Sequence, residues 1–151
     1  MRLVDIGAKA LRTRGFVRAP IYLYRTGLGF LLGHRMLMLQ HIGRKSGARR
    51  YVVLEVVEQP SPLSYVVASG FGTQAQWYRN VLAHPRVGVS VGFGMSTPAR
   101  AVPLTDDEVA ATLQRYQRDR PRTWSALMST IESATGRPVT TLPMVRLELQ
   151  P

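Results

Sequence analysis

A chain of 151 residues has the size of one ordinary domain, and its 45% hydrophobic and 19% charged content supports a packed core and excludes wholesale disorder. The 20 Lys+Arg against 9 Asp+Glu, a formal net charge of +11, call for an anionic partner: nucleic acid, an acidic membrane face or a highly anionic small molecule. Cysteine is absent, which excludes disulfides, thiolate catalysis and cysteine-ligated metals and leaves any redox chemistry to a bound cofactor.

In chain order, Arg2 to Arg14 set Leu3, Ala10 and Leu11 near one helical face while Arg2, Lys9, Arg12 and Arg14 carry charge. A second apolar segment begins at Pro20 and spaces Ile21, Tyr24, Leu28 and Leu31 as a helix would. Residues 1–35 therefore read as a basic, amphipathic helical arm and 36–151 as the body of the same globular unit. Arg12, Arg14 and Arg18 break up the apolar residues, so the start does not read as a cleavable signal, and the expected location is cytoplasmic. The stretch from Ile21 to Gly33 contains Arg25 and falls short of the ~20 apolar residues that cross a bilayer. Residues 1–33 are expected to pack on the body or to touch the inner face of the plasma membrane peripherally.

From Met36 the texture changes to short β-rich runs: MLMLQHI, RYVVLEVVE and SYVVAS, separated by the turn compositions GRKSGA and QPSPL. Thr73 to Ala83 reads as a helix, then RVGVSV and STPARAVPL as two more strands. Thr105 followed by Asp106, Asp107 and Glu108 is a capping box that starts a helix running to about Arg118. A further helix is expected over Thr123 to Thr135, stopped by Gly136, and Met144 to Leu149 alternates like a closing strand. The expected fold is α+β, a small antiparallel split β-barrel with flanking helices.

The densest positive cluster is His41, Arg44, Lys45, Arg49 and Arg50, on and beside the first strand-to-strand turn, bracketed by Gly43 and Gly47. Such a turn lets successive backbone N–H groups converge on a phosphate or carboxylate, with Ser46 adding a hydroxyl; a solvated hairpin is the plainer reading. It is not a Walker A loop, since the GxxxxGK[ST] spacing is missing and the turn opens no helix. His41 fits a hydrogen-bonded strand histidine. The carboxylates Asp106, Asp107 and Glu108 are accounted for by capping and do not suggest a hydrolase. His34, His41 and His84 lack metal-ligand spacing, so no metal is expected. Nucleic-acid binding has the charge behind it but no helix-turn-helix, RRM aromatic pair or zinc pattern.

QHIGRKSGARR, then VVLEVV, then YVVASGFGTQAQWYRNVLAHPRVGVSV, in that order and spacing, resemble the deazaflavin-dependent nitroreductase family over about Leu37 to Val102. The resemblance implies that Arg44, Lys45 and Ser46 hold the phosphate of coenzyme F420. It further implies that Arg50, Tyr51, Val52, Val53, Leu54 and Glu55 line the coenzyme along the second strand. Ala68, Ser69, Gly70 and Phe71 would face the deazaflavin through backbone groups, and Gln76, Trp77, Tyr78, Arg79 and Asn80 would form the opposite wall. Core packing competes as a role for Trp77 and Tyr78. Gly70 and Val52 stand where the nitroreductase has a lysine and an asparagine, and its C-terminal tyrosines are not matched here, so nitro-drug reduction is not carried over. Tyr116, Trp124 and Tyr78 are candidates for the substrate or proton-donor side, with core or lid packing as the alternative. Hydride from the reduced coenzyme to a hydrophobic acceptor, a quinone, an enone or a nitro compound, is the implied reaction. Two alternatives stay open: FMN in place of F420, and a non-catalytic barrel that carries a fatty acid or lipid. The sequence marks no oligomer interface.

Overall fold

Alternation of apolar residues builds the strands, and the computed structural model describes residues 36–70, 72–92, 96–136 and 142–151. The expected arm, residues 1–35, lies outside them. The strands are β1 (Met36–Ile42), β2 (Arg49–Ser61), β3 (Ser64–Ala68), β4 (Arg86–Ser90), β5 (Thr97–Pro103) and β6 (Met144–Leu149). They close an antiparallel barrel in the order β1-β2-β3-β6-β5-β4, with β4 returning to β1 through Met38↔Ser90 and Gln40↔Gly88.

The two-residue period of the strands sends one set of side chains inward. Leu37 and Leu39 of β1, Val67 of β3, and Val145 and Leu147 of β6 are completely buried there, and Val56, Val87, Val89, Ala99 and Ala101 complete the ring. Each such Leu or Val contributes about 1.5–3 kcal/mol by leaving water. Helix α1 (Gln76–Ala83) covers part of this barrel, inserting Trp77 and Val81 into the same core. On the outer face, Val66, Leu142 and Met144 form a second apolar cluster. Val109 and Leu113 of α2 (Asp106–Asp119) and Met128 of α3 (Pro121–Thr135) pack on it. Strands β3 and β6 are consequently buried on both faces, which explains the unbroken apolar runs YVVA and MV.

Helix α2 begins where the capping box requires: Thr105 Oγ1 accepts from the Glu108 N–H at 3.2 Å, and Glu108 Oε1 accepts from the Thr105 N–H at 3.0 Å. Helix α3 starts at Pro121, not Thr123, because proline's fixed φ suits the first helical turn. It ends at Gly136, whose φ of 70° is the left-handed cap that glycine adopts without strain.

Two further expectations needed correction. QPSPL was expected to be the whole turn after the second strand, yet β2 runs on to Ser61 and only Pro62 and Leu63 turn. Pro60 is tolerated because the β2–β3 register slips between Glu58 and Ser61, an irregularity where a missing N–H leaves no gap in the ladder. The helix expected over Thr73 to Ala83 is divided: a 3₁₀ turn spans Gly72–Gln74, and Ala75, with ψ of 132°, breaks it from α1.

Candidate functional site

The turn between β1 and β2 is closed by its own backbone. Gly43 N–H donates to Ala48 O and Gly47 N–H to Gly43 O, each at 2.8 Å. Gly47 sits at φ 72°, which disfavours any side chain there. Ala48 N–H donates to Ser46 Oγ at 3.2 Å, and Arg44 N–H donates to Asn80 Oδ1 at 3.1 Å. The expected cradle of converging N–H groups is therefore largely spent internally. Lys45 and Ser46 carry the turn amides that remain uncommitted among the described residues.

A cleft of about 240 Å³ is lined by Gly43, Arg44, Lys45, Ser46, Arg50, Gln76 and Asn80. Arg44, Lys45 and Arg50 are cationic and no carboxylate lines it among the described residues, a donor set suited to phosphate. Arg50 reaches the cleft because it is opposite His41 in the β1–β2 register, on the inward face at the barrel's end.

Beneath the cleft, Asn80 is 2% exposed and joins α1 to the turn. Its Oδ1 accepts from Arg44 Nη1 at 2.8 Å as well as from the Arg44 N–H. Both Arg44 groups are donors, so the amide must face them with oxygen, and Nδ2 is left to donate to His41 Nδ1 at 3.0 Å. Nδ1 of His41 is then the acceptor and its proton resides on Nε2. Burial first, and the Arg50 charge second, hold His41 down at about 4 from its ordinary 6.5. The unfolded chain binds this proton below 6.5 and the folded one only below about 4, so His41 lowers stability as pH falls through that window and has no further effect below it. Denaturation midpoints measured from pH 7 to 4 should fall, and replacing His41 with glutamine should flatten the slope; an unchanged slope would contradict a buried neutral imidazole.

The remaining predicted site residues divide by strand period. Val52 and Leu54 pack against the barrel core, whereas Tyr51, Val53 and Glu55 alternate onto the outer face, so the side chains of Arg50 to Glu55 do not share one wall. On that outer face Glu55 Oε1 accepts from the Tyr116 hydroxyl at 3.4 Å, and the Tyr116 and Trp124 rings meet edge-on at 6.0 Å. Tyr116 is 5% exposed, so it packs α2 against β2 and does not reach the cleft. Trp77 is a core residue and Tyr78 packs beside it, edge to face at 5.9 Å. Gln76 and Asn80 line the cleft and Arg79 is exposed outside it.

Ala68 belongs to the outer apolar cluster. Ser69 is fully buried and tied on every side: its N–H donates to Pro143 O, its hydroxyl to Gly72 O at 2.6 Å, and its carbonyl accepts from Gly72 N–H. These bonds hold the Ser69 backbone in place between β3 and the 3₁₀ turn. Gly70 is half-buried, and Phe71 lies outside the described residues. Sequence reasoning missed the Asn80–His41–Arg44 network because its members are 36 and 39 residues apart.

Comparison with solved structures places this barrel in a class. It resembles an F420H2-dependent reductase (FDR-A) at 25% identity and a TM-score of 0.54, over 76% of this chain and 94% of that one. A chain described as a domain-swapped dimer matches at 21% identity and a TM-score of 0.54, over 86% and 100%, a likeness of fold alone. The architecture is thus that of the split-barrel reductases. The Mycobacterium tuberculosis protein Rv3178, assigned by name to the F420H(2)-dependent quinone reductases, is 33% identical over 88 residues, 57% of this chain and 72% of that protein. The model of the F420H(2)-dependent quinone reductase family matches residues 18–148, and the chain belongs to that family. It is an F420H2-dependent oxidoreductase with coenzyme F420 as cofactor. The match begins inside the segment assigned to the N-terminal arm, so the family extends across the boundary drawn at residue 35.

Proposed function

We propose that the chain passes hydride from F420H2 to a hydrophobic quinone, with Arg44, Lys45, Ser46 and Arg50 holding the coenzyme's phosphate. The observation that carries this reading is the cleft: three cationic side chains and, among the described residues, no carboxylate, in a chain of this family. Reduced F420 is a hydride donor, so the protein need supply only binding, orientation and exclusion of water. Arg44 and Arg50 present guanidiniums suited to paired bonds with phosphate oxygens, while exposed Lys45 adds a mobile charge and the Ser46 hydroxyl a further donor. Gln76, from the start of α1, offers an amide on the opposite side of the cleft.

FMN also carries phosphate, so the cleft alone does not separate the two coenzymes; family membership favours F420. The apolar, basic segment 1–33 supports peripheral contact with an anionic membrane, where hydrophobic quinones dissolve; equal sedimentation with anionic liposomes after its deletion would remove that support. No described helix is long and apolar enough to cross a membrane.

Steady-state reduction of a soluble naphthoquinone by the full chain tests the reading. F420H2 should sustain turnover, and FMNH2 or NADPH should not. Turnover with FMNH2 alone would make this a flavin enzyme on the same barrel, and none with any donor would leave the lipid-carrying alternative.

A further inference from the structure

The amide at position 80 stands where a carboxylate would seem the natural partner for an arginine. Asn80 is nearly inaccessible, accepts twice from Arg44 through one oxygen, and donates to His41 through its nitrogen. Those bonds fix the Arg44 guanidinium and the start of the turn relative to α1. An aspartate has almost the same shape and could accept the same two bonds, but its charge would neutralise Arg44 beside the bound anion. It would also force His41 to place a proton on Nδ1, since a carboxylate can only accept. We propose that Asn80 is a positioning residue whose neutral amide aims Arg44 at the coenzyme's anionic group while leaving the guanidinium charge undiminished for it. The inference rests on the coenzyme assignment above and makes Asn80 a support behind the binding residues.

Among the described residues, the charged groups around His41 are Arg44 at the turn and Arg50 on β2, and no carboxylate lines the cleft. A new negative charge at position 80 therefore has a large effect on both the anion and the imidazole. In Asn80→Asp the dissociation constant for F420 should rise about tenfold or more, because a unit charge a few ångströms away is only partly screened in a half-buried cleft. The His41 titration, followed by NMR in the absence of coenzyme, should move up from about 4. Unchanged affinity, or an unmoved His41 titration in a folded variant, would overturn the inference while wild-type binding keeps the coenzyme assignment intact. Failure of the wild type to bind F420 would sink both. Should Asn80→Asp not fold, guanidinium NMR of the wild-type protein still decides: Arg44 should rotate more slowly than the exposed Arg49, and equal mobility would overturn the positioning role.

Discussion

Replacing Arg44 and Lys45 together with alanine is expected to weaken F420 binding by about a hundredfold or more, because each removes a charge-assisted contact worth about 1.5–3 kcal/mol, discounted for solvent exposure. The two changes should not be equivalent. Lys45 is exposed and makes no described hydrogen bond, so Lys45→Ala should lower affinity and leave the thermal midpoint where it was. Arg44→Ala removes the guanidinium donor and leaves the buried Asn80 oxygen with the backbone N–H of residue 44 alone, which costs about 1 kcal/mol of stability in addition to the lost contact. Affinity and denaturation measured on both single variants and the double variant separate the contributions. Retention of affinity in the folded double variant would place the phosphate elsewhere.

Leu147→Ala is expected to destabilise the fold by about 3 kcal/mol, within the range of about 2–5 for a fully buried leucine. Leu147 is 0% exposed and lies at the centre of β6, opposite Tyr65 of β3 on one side and Ala101 of β5 on the other. Its loss opens a cavity where the barrel closes, between elements that the chain brings together across 82 and 46 residues of sequence. Denaturant unfolding should show a lower midpoint with an unchanged slope. A change below about 1 kcal/mol would mean that β6 does not seal the core as described.

Local patterns revealed a good part of this fold. The alternation in MLMLQHI and MVRLEL matches β1 and β6 to the residue, and the Thr105 to Glu108 capping box marks the start of α2. These signals are written in adjacent residues, where the strand period and the cap hydrogen bonds operate. The extension of β2 through Gln59 and Pro60 was hidden because register slippage depends on β3, not on the propensity of the residues concerned. The break at Ala75 likewise has no local signature, since alanine is a strong helix former.

For the site, GRKSG identified the cationic turn, but the closing bonds of Gly43, Gly47 and Ala48 could not be read from the word itself. Strand alternation could have warned that Arg50 and Glu55 face opposite ways. Tyr116 and Trp124 drew attention as aromatics on a late helix, and only the packing of α2 on β2 shows that they pair with each other and with Glu55. The resemblance to known enzymes supplied the coenzyme; the side-chain geometry gathers Arg44, Lys45 and Arg50 around one cleft.

Equilibrium titration of the purified protein with F420, in parallel with FMN and followed by fluorescence, tests the central claim most directly. Selective binding of F420, weakened by added salt as a phosphate site built on Arg44, Lys45 and Arg50 requires, is the predicted result. Binding of FMN in preference to F420, or binding of F420 that salt leaves untouched, would contradict it.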